Sequence, residues 1–436
     1  MVEFENAVFF LGAGATRQDF PTAPLTDDLL HAILLASAPQ DPFPRFLRHV
    51  FAETSVAHDG SRELRPRIDD VFTVMDAHLA GRAPAPDHVS LDEVVAARAH
   101  LVASIGKVLR DALQSDRLGQ VSKRCAERFR ELSATVISTN YDIVMDNALA
   151  NTANINYGVA VRMPVERKGG RPERARPDEV HHFQPHPLFQ GAHQVGPLPM
   201  LKLHGSLNWL YCPRCDELDI TLGKKGAVDI LTEPVVSRCA ARDCTARYEA
   251  VIVGPSLVQR YDNRILRDTW RLAEKALQEA PKLVTIGYSL PEADYLIRAM
   301  LARHFSRRSG DVMVVTNPKT EEALAEFKNR HRGLFPQCKF YVEGFASFVS
   351  DRLGGIDEER SGYWVCEDLR DANDTKVHLG SCSRVRERSA EASTTRWHGP
   401  FQLLRVACAE AAGIARNQQH DYQAACCLGS KSARSE

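Results

Sequence analysis

The stretch from Lys202 to Cys215, Lys-Leu-His-Gly-Ser-Leu-Asn-Trp-Leu-Tyr-Cys-Pro-Arg-Cys, holds two kinds of chemistry side by side. His204 follows a short apolar run and precedes a glycine, which predicts an imidazole at a strand end facing a cleft. An imidazole of ordinary pKa, about 6.5, can take up and return a proton near neutrality. Cys212 and Cys215 stand at the spacing of half a thiolate metal site, and Cys239 and Cys244 follow after a gap of 23 residues. The pattern Cys-x2-Cys, gap, Cys-x4-Cys matches paired knuckles around a tetrahedral Zn2+. Four protein ligands leave no open position, so such a metal is expected to be structural. It would staple a small module over about residues 208–250.

A single histidine is more often a satisfied core residue than a catalyst, so polar groups at other strand ends matter. Ala7 to Leu11 is a continuous apolar run, as expected for a strand covered on both faces, and Gly12-Ala13-Gly14-Ala15-Thr16 follows it directly. Small residues there let a backbone approach a phosphate, although a tight turn without ligand explains them equally well. A dinucleotide fingerprint of the usual dehydrogenase kind wants a third glycine where Arg17 stands. Thr135 to Ser138 is a second buried strand ending in Thr139-Asn140-Tyr141-Asp142. Asn140 or Asp142 could cap the next helix, but one cap does not account for the whole cluster. Ligand sites in open α/β sheets lie at such carboxyl ends.

These tips need a scaffold. The alternation of strand and helix predicts an α/β fold with a doubly wound parallel (Rossmann-like) sheet, a helical insertion over about 28–130, and the small zinc-binding module. Helices are expected over Leu25–Leu35, Ile68–Leu79 and Leu91–Leu113, with Pro39, Pro42, Pro44, Pro66, Pro84 and Pro86 breaking the rest of that region. After Cys244 the expected order is a short strand at Val251, a helix around Leu266–Ala280, a strand Leu283–Ile286, a helix Asp294–His304, a strand Val312–Val315, a helix Thr320–His331, a strand Lys339–Val342 and a helix Phe345–Leu353. Val165 to Pro199 reads as a long polar loop over the cleft; its His181, His182, His186 and His193 favour solvation over a second metal site. Residues 1–354 form one domain in this reading. Residues 355–436 lose periodicity and hold five of the eleven cysteines; only Phe401–Ala415 has helical character, and a disordered tail or one outside the evolved fold is expected.

Lys plus Arg number 55 and Asp plus Glu 56, so no global charge draws the chain to nucleic acid or membrane. No apolar run approaches the roughly 20 residues of a membrane span. The acidic start, Met-Val-Glu-Phe-Glu-Asn, is unlike a secretory signal, so reduced thiols and a cytoplasmic setting are expected.

Taken in order, Gly12-Ala13-Gly14-Ala15-Thr16, Ser138-Thr139-Asn140-Tyr141-Asp142, Leu203-His204-Gly205-Ser206, the four cysteines, Gly287-Tyr288-Ser289 and Thr316-Asn317 resemble the sirtuin-like superfamily over about residues 4–353. The resemblance is strongest to its bacterial NAD+-hydrolysing branch of anti-phage defence. It implies NAD+ as substrate, with Gly12, Ala13, Gly14 and Thr16 under the pyrophosphate and Gly287, Ser289 and Asn317 on phosphate and adenosine ribose. It implies that Asn140 positions the ribose and the attacking water, that Asp142 contacts the nicotinamide region, and that His204 is the general base. The chain departs from the deacetylase pattern: Arg17-Gln18-Asp19-Phe20-Pro21 replaces a glycine-isoleucine-proline-aspartate-phenylalanine loop, and Tyr141 replaces an isoleucine. An NAD+ glycohydrolase is thus expected ahead of a protein deacylase or ADP-ribosyltransferase, and both ahead of a silent nucleotide-sensing subunit. Unchecked NAD+ destruction would poison its host. Homo-oligomerisation, or a partner such as an ATPase (HerA-like) or a nucleic-acid-guided protein, is therefore expected to regulate it, with the helical insertion as interface.

Overall fold

The computed structural model describes residues 2–51, 66–83, 89–113, 120–150, 155–159, 161–162, 165–168, 171–174, 198–220, 238–239, 241, 244–258, 261, 263–353, 363–368, 375–379, 385, 395–401, 404–417 and 423–424. The chain divides into two units, Met1–Val349 and Ser350–Glu436.

The first unit is built on a seven-stranded sheet. In chain order its strands and neighbours are β1 (Val8–Leu11), β2 (Thr135–Ser138), β3 (Ile155–Asn156), β4 (Val161–Arg162), β5 (Val165–Lys168), β6 (Arg171–Arg174), β7 (Leu198–Lys202), β8 (Gly205–Cys212), β9 (Glu217–Ile220), β10 (Glu249–Ile252), β11 (Leu283–Ile286), β12 (Val312–Val315) and β13 (Lys339–Tyr341). The sheet order is β13-β12-β11-β1-β2-β7-β3, and the paired strands run parallel. Its central strands are apolar on both faces because both faces are covered: Val8–Leu11, Leu283–Ile286 and Val312–Val315 are buried throughout. From β1 the chain winds outward through β2 and β7 on one side, then returns to lay β11, β12 and β13 on the other. The reversal falls between β1 and β11, the kind of place at which open α/β sheets bind ligands. The doubly wound parallel sheet expected from the alternation is the one found.

After α1 (Ala13–Asp19), the helical insertion contains α2 (Thr26–Leu35), α3 (Pro42–Phe51), α4 (Ile68–Leu79), α5 (Leu91–Ala112) and α6 (Gln120–Glu131). Helices α2 to α5 close around Leu30, Ile33, Phe43, Phe72, Leu101 and Ile105. Two of these helices correct the sequence reading. Pro42, Pro44 and their neighbours were expected to break structure, yet Pro42 and Pro44 lie in the first turn of α3. Amides of a first turn have no intrahelical acceptor, so a proline there removes nothing. Helix α6 was not anticipated; Ser122, Cys125, Ala126 and Phe129 form its buried face, and Asp19 caps it from a distance, accepting from Val121 N and Ser122 N, both at 2.8 Å. The region read as a polar loop contains the antiparallel pair β5 and β6, and its four histidines lie outside the described residues.

After β2 comes α7 (Val144–Ala150). Beyond β7 the chain forms a second, four-stranded sheet of order β10-β8-β9-β4. Strand β8 carries Cys212 at its end, so the metal module grows directly out of the strand that follows His204. Among the described residues no helix is long and apolar enough to cross a membrane.

The second unit has its own four-stranded sheet, order β16-β14-β15-β17, formed by β14 (Tyr363–Asp368), β15 (Thr375–Leu379), β16 (Thr395–Phe401) and β17 (Gln423–Ala424). A helix, Leu404–Asn417, packs Ala407 and Ala411 against Val365 and Val377. The helix overlaps the Phe401–Ala415 stretch of helical character, whereas the strands were not expected, charged and polar residues interrupting their apolar pattern.

Candidate functional site

Parallel pairing carries the five central strands to a common edge. Leu11 aligns with Ile286 and Ser138, and Ser138 aligns with Lys202. The pairing continues into the loops: Gly12 N donates to Ile286 O at 3.0 Å, Thr139 N to Leu11 O at 3.1 Å, Leu203 N to Ser138 O at 2.9 Å and Gly287 N to Val315 O at 3.1 Å. Asn140 and His204 each stand two residues past a register-paired position, so an amide and an imidazole occupy adjacent strand tips.

The glycine turn and the β11 tip are pressed together. Gly14 N donates to Gly287 O at 3.0 Å and Ala15 N to Gly12 O at 2.9 Å. A Cβ on Gly12 would meet Gly287 O at 2.6 Å, and one on Gly14 would meet Gly287 Cα at 2.8 Å. Gly287 has φ +61°. The glycines therefore serve backbone-to-backbone approach at the switch point, and the amides of Gly12, Gly14 and Ala15 already have protein acceptors.

Four residues from the sequence reading form one chain of hydrogen bonds. Asn140 Nδ2 donates to Gly12 O and to Thr16 Oγ1, both at 3.1 Å, and Thr16 Oγ1 donates to Asp142 Oδ2 at 2.8 Å. Asn140 is half-buried, and its amide nitrogen is spent on this lock. Its Oδ1 is the atom left to accept from a water or a hydroxyl. Asp142 is buried, and its other oxygen accepts from Val144 N at 3.0 Å at the start of α7. Burial holds its carboxyl above the usual range, opposed by the nearby Lys202 ammonium. Asp142 thus ties the β2 tip to α1 and to α7.

Beneath this lies a fully buried ion pair that the sequence did not reveal. Lys202 Nζ donates to Asp146 Oδ2 at 3.0 Å and to Asp142 O at 2.6 Å, both side chains being 0% exposed. Tyr157 Oη donates to Asp146 Oδ1 at 2.6 Å. In sequence Lys202 looks like the polar end of a strand; only the arrival of α7 beneath it gives it partners.

His204 is clasped from three sides. Val253 N donates to His204 O at 3.0 Å, while Tyr141 Oη donates to Val253 O at 2.6 Å. The Tyr141 and His204 rings lie 6.2 Å apart, tilted by 33°. Leu207 N donates to Tyr141 O at 2.8 Å. The β2 tip and the β7 tip are therefore joined through Val253 as well as through the sheet. Gly205, with φ +79°, makes the turn that follows; a Cβ there would sit 1.7 Å from Val251 O. The imidazole is 4% exposed, and its Nε2 lies 3.4 Å from Asp294 Oδ1 without making a hydrogen bond of normal geometry among the described residues. Tyr288 and Asp294 were not singled out from sequence, and a glycine-tyrosine-serine tip gives no hint that Tyr288 Oη donates to Asp294 Oδ2 at 2.8 Å. Ser289 and Asn317 are exposed at the rim; Asn317 faces Gly344, where a Cβ would lie 3.2 Å from its Nδ2.

The four cysteines converge as free thiols, all Sγ atoms within 4.8 Å of one another. Cys212 and Cys244 are 3.7 Å apart, and Cys215 and Cys239 are 3.8 Å apart. Sulfurs about 2.3 Å from a shared tetrahedral metal would be about 3.8 Å apart, so the donor set fits Zn2+. Cys215 N and Ala241 N each point at a ligand sulfur, at 3.4 Å from Cys212 Sγ and Cys239 Sγ, as suits thiolates. Among the described residues the apolar core here is Leu210, Cys212, Cys239 and Tyr248, with Ala241 and Ala246 packed against it, a small core that a metal would reinforce. A Cys239→Ser variant is expected to lose most bound zinc and to unfold at a lower temperature, read by metal analysis and thermal melting. Purified native protein without stoichiometric zinc would remove the metal from this account.

No family model matches the chain, and no curated protein matches it. Among solved structures it is similar to "Sir2-p53 peptide-NAD+", at 14% identity over 78% of this chain and 89% of that chain with a TM-score of 0.35. It is likewise similar to "Sir2 bound to acetylated peptide", at 12% identity over 78% and 89% with a TM-score of 0.34. A third, "Structural Basis for the Mechanism and Regulation of Sir2 Enzymes", is 11% identical over 80% and 90% with a TM-score of 0.34.

Proposed function

We propose that the chain is a sirtuin-like NAD+ glycohydrolase, cleaving the nicotinamide–ribose bond to give nicotinamide and ADP-ribose. The observation that carries this reading is that Asn140 and His204 follow the register-paired ends of the neighbouring strands β2 and β7, beside the switch point where Gly12 and Gly14 pack on Gly287. A dinucleotide laid across that edge would bring its ribose to the amide and the imidazole.

The chemistry asks little of the site beyond placement. Nicotinamide leaves a cationic ring as a neutral molecule, so the bonding pair departs with its nitrogen without an acid. An oxocarbenium-like sugar develops, and water adds at the anomeric carbon. Asn140 Oδ1 orients that water while staying uncharged. His204 accepts its proton and passes it to solvent. NAD+ plus water gives nicotinamide, ADP-ribose and a proton. Holding the ribose and water together supplies most of the acceleration.

Gly12, Ala13, Gly14 and Thr16 would lie along the pyrophosphate, and Gly287, Ser289 and Asn317 along phosphate and adenosine ribose. Asp142 keeps the tip rigid in this reading. The four-cysteine module would hold Zn2+ as a structural ion at the end of β8 opposite the His204 turn.

An enzyme of this kind needs restraint. The insertion carries exposed Leu35, Leu91 and Val95, the last two one turn apart on α5. We assign to it contact with a second copy or an activating partner, and to the whole an effector role in anti-phage defence. The test is incubation of the purified full chain with NAD+, following nicotinamide and ADP-ribose, across protein concentration. Turnover without an acetyl-lysine acceptor is expected, rising with self-association. Turnover only when an acetylated peptide is added would replace the hydrolase with a deacylase, and a fully active monomer would refute the restraint.

A further inference from the structure

Asp294 occupies the position before the helix Tyr295–Phe305, where an aspartate ordinarily caps the first turn. Here its side chain makes no cap hydrogen bond. It is 3% exposed, and it turns inward instead. One oxygen accepts from Tyr288 Oη at 2.8 Å, and the other stands 3.4 Å from His204 Nε2. The loop that brings it there is strained at the buried Leu290, which has φ +53°. A left-handed leucine is disfavoured, and such outliers persist where surrounding structure needs them. A lost cap, a strained loop and a buried carboxylate aimed at a buried imidazole share one explanation.

We propose that Asp294 is the positioning carboxylate of His204, held in place by the Tyr288 hydroxyl, and that it draws the ring hydrogen onto Nε2 so that Nδ1 acts as the base. This rests on the reading of His204 as the base above. The 3.4 Å separation shortens into a hydrogen bond when substrate fills the site, as catalytic contacts in ligand-free enzymes commonly do. The carboxylate then stabilises the imidazolium formed by proton uptake.

Tyr141 faces the His204 ring from the β2 tip, and Asp294 also acts on the phenols of Tyr261 and Tyr288. Burial first, and Asp294 second, push all three phenols upward, so they stay neutral across the working range. Arg98 and Asp76 pair with each other at 2.8 Å near Tyr141 and largely offset, and Arg298 acts on Tyr288.

The test compares native protein with Asp294→Asn, which keeps the shape and removes the charge. NAD+ cleavage is followed against pH, and His204 is followed by NMR after histidine labelling, with His204→Gln for assignment. The expected result is a kcat lower by about 10- to 100-fold with KM moved less than about threefold. The acid limb of the pH profile and the His204 titration should both move to lower pH, by at least about half a unit, because the imidazolium has lost its counter-charge. An unchanged profile and an unchanged titration overturn the proposal. If the native protein does not cleave NAD+, the hydrolase reading fails separately, and the titration alone decides whether Asp294 governs His204. If Asp294→Asn is recovered only as aggregate, the same readouts on Tyr288→Phe decide, with native behaviour counting against the proposal.

Discussion

Lys202→Met is expected to cost roughly 3–5 kcal/mol of stability, the usual penalty for removing one partner of a buried ion pair. The loss does not come from the attraction of the pair as such. Lys202 and Asp146 are both fully buried, so the substitution leaves a carboxylate with no counter-charge in a low-dielectric interior. Asp142 O also loses its donor, and with it goes one of the contacts that hold the β2 tip. Adding Asp146→Leu should recover more than half of the loss, since the stranded charge goes too and Tyr157 keeps its interaction with Asn208. Denaturant unfolding of the single and double variants measures this. A single variant within about 1 kcal/mol of native protein would show that water or rearrangement reaches Asp146, and the pair would not be the anchor described.

Asn140→Ala and His204→Ala are each expected to lower NAD+ turnover by roughly 10²–10⁴-fold. The two should differ in stability. Asn140 Nδ2 joins β2 to the glycine turn through Gly12 O and Thr16 Oγ1, so its removal should also cost about 1–2 kcal/mol. His204 sits at the end of its strand with Nε2 short of a hydrogen bond, so alanine there should be tolerated with little loss of polar contacts. The pair of measurements, turnover and unfolding, separates a catalytic from a merely structural role. An Asn140→Ala enzyme with native turnover would end the assignment of the water to Asn140. Native turnover in His204→Ala would end both the base and the role given to Asp294.

The sequence alone determined the strands and where chemistry could sit on them. Ala7–Leu11, Thr135–Ser138, Leu283–Ile286 and Val312–Val315 are apolar because both faces of a parallel sheet are covered, and that pattern is local. Asn140 and His204 were legible because polar residues directly after such strands must lie at the sheet edge. The four cysteines were legible because metal ligands come in short-range pairs, and their sulfurs do converge. What the sequence could not contain was partnership over distance. Lys202 gains meaning only from Asp146, 56 residues away, and Asp294 only from His204 and Tyr288. The glycines looked like a phosphate cradle, yet the approach of Gly287 to Gly12 and Gly14, set by the neighbouring placement of β1 and β11, requires them in its own right. Helix α3 was hidden because the harm a proline does depends on which turn it occupies, and only the folded chain fixes that. Spacing records bonds made between near neighbours; register and packing decide those made across the sheet.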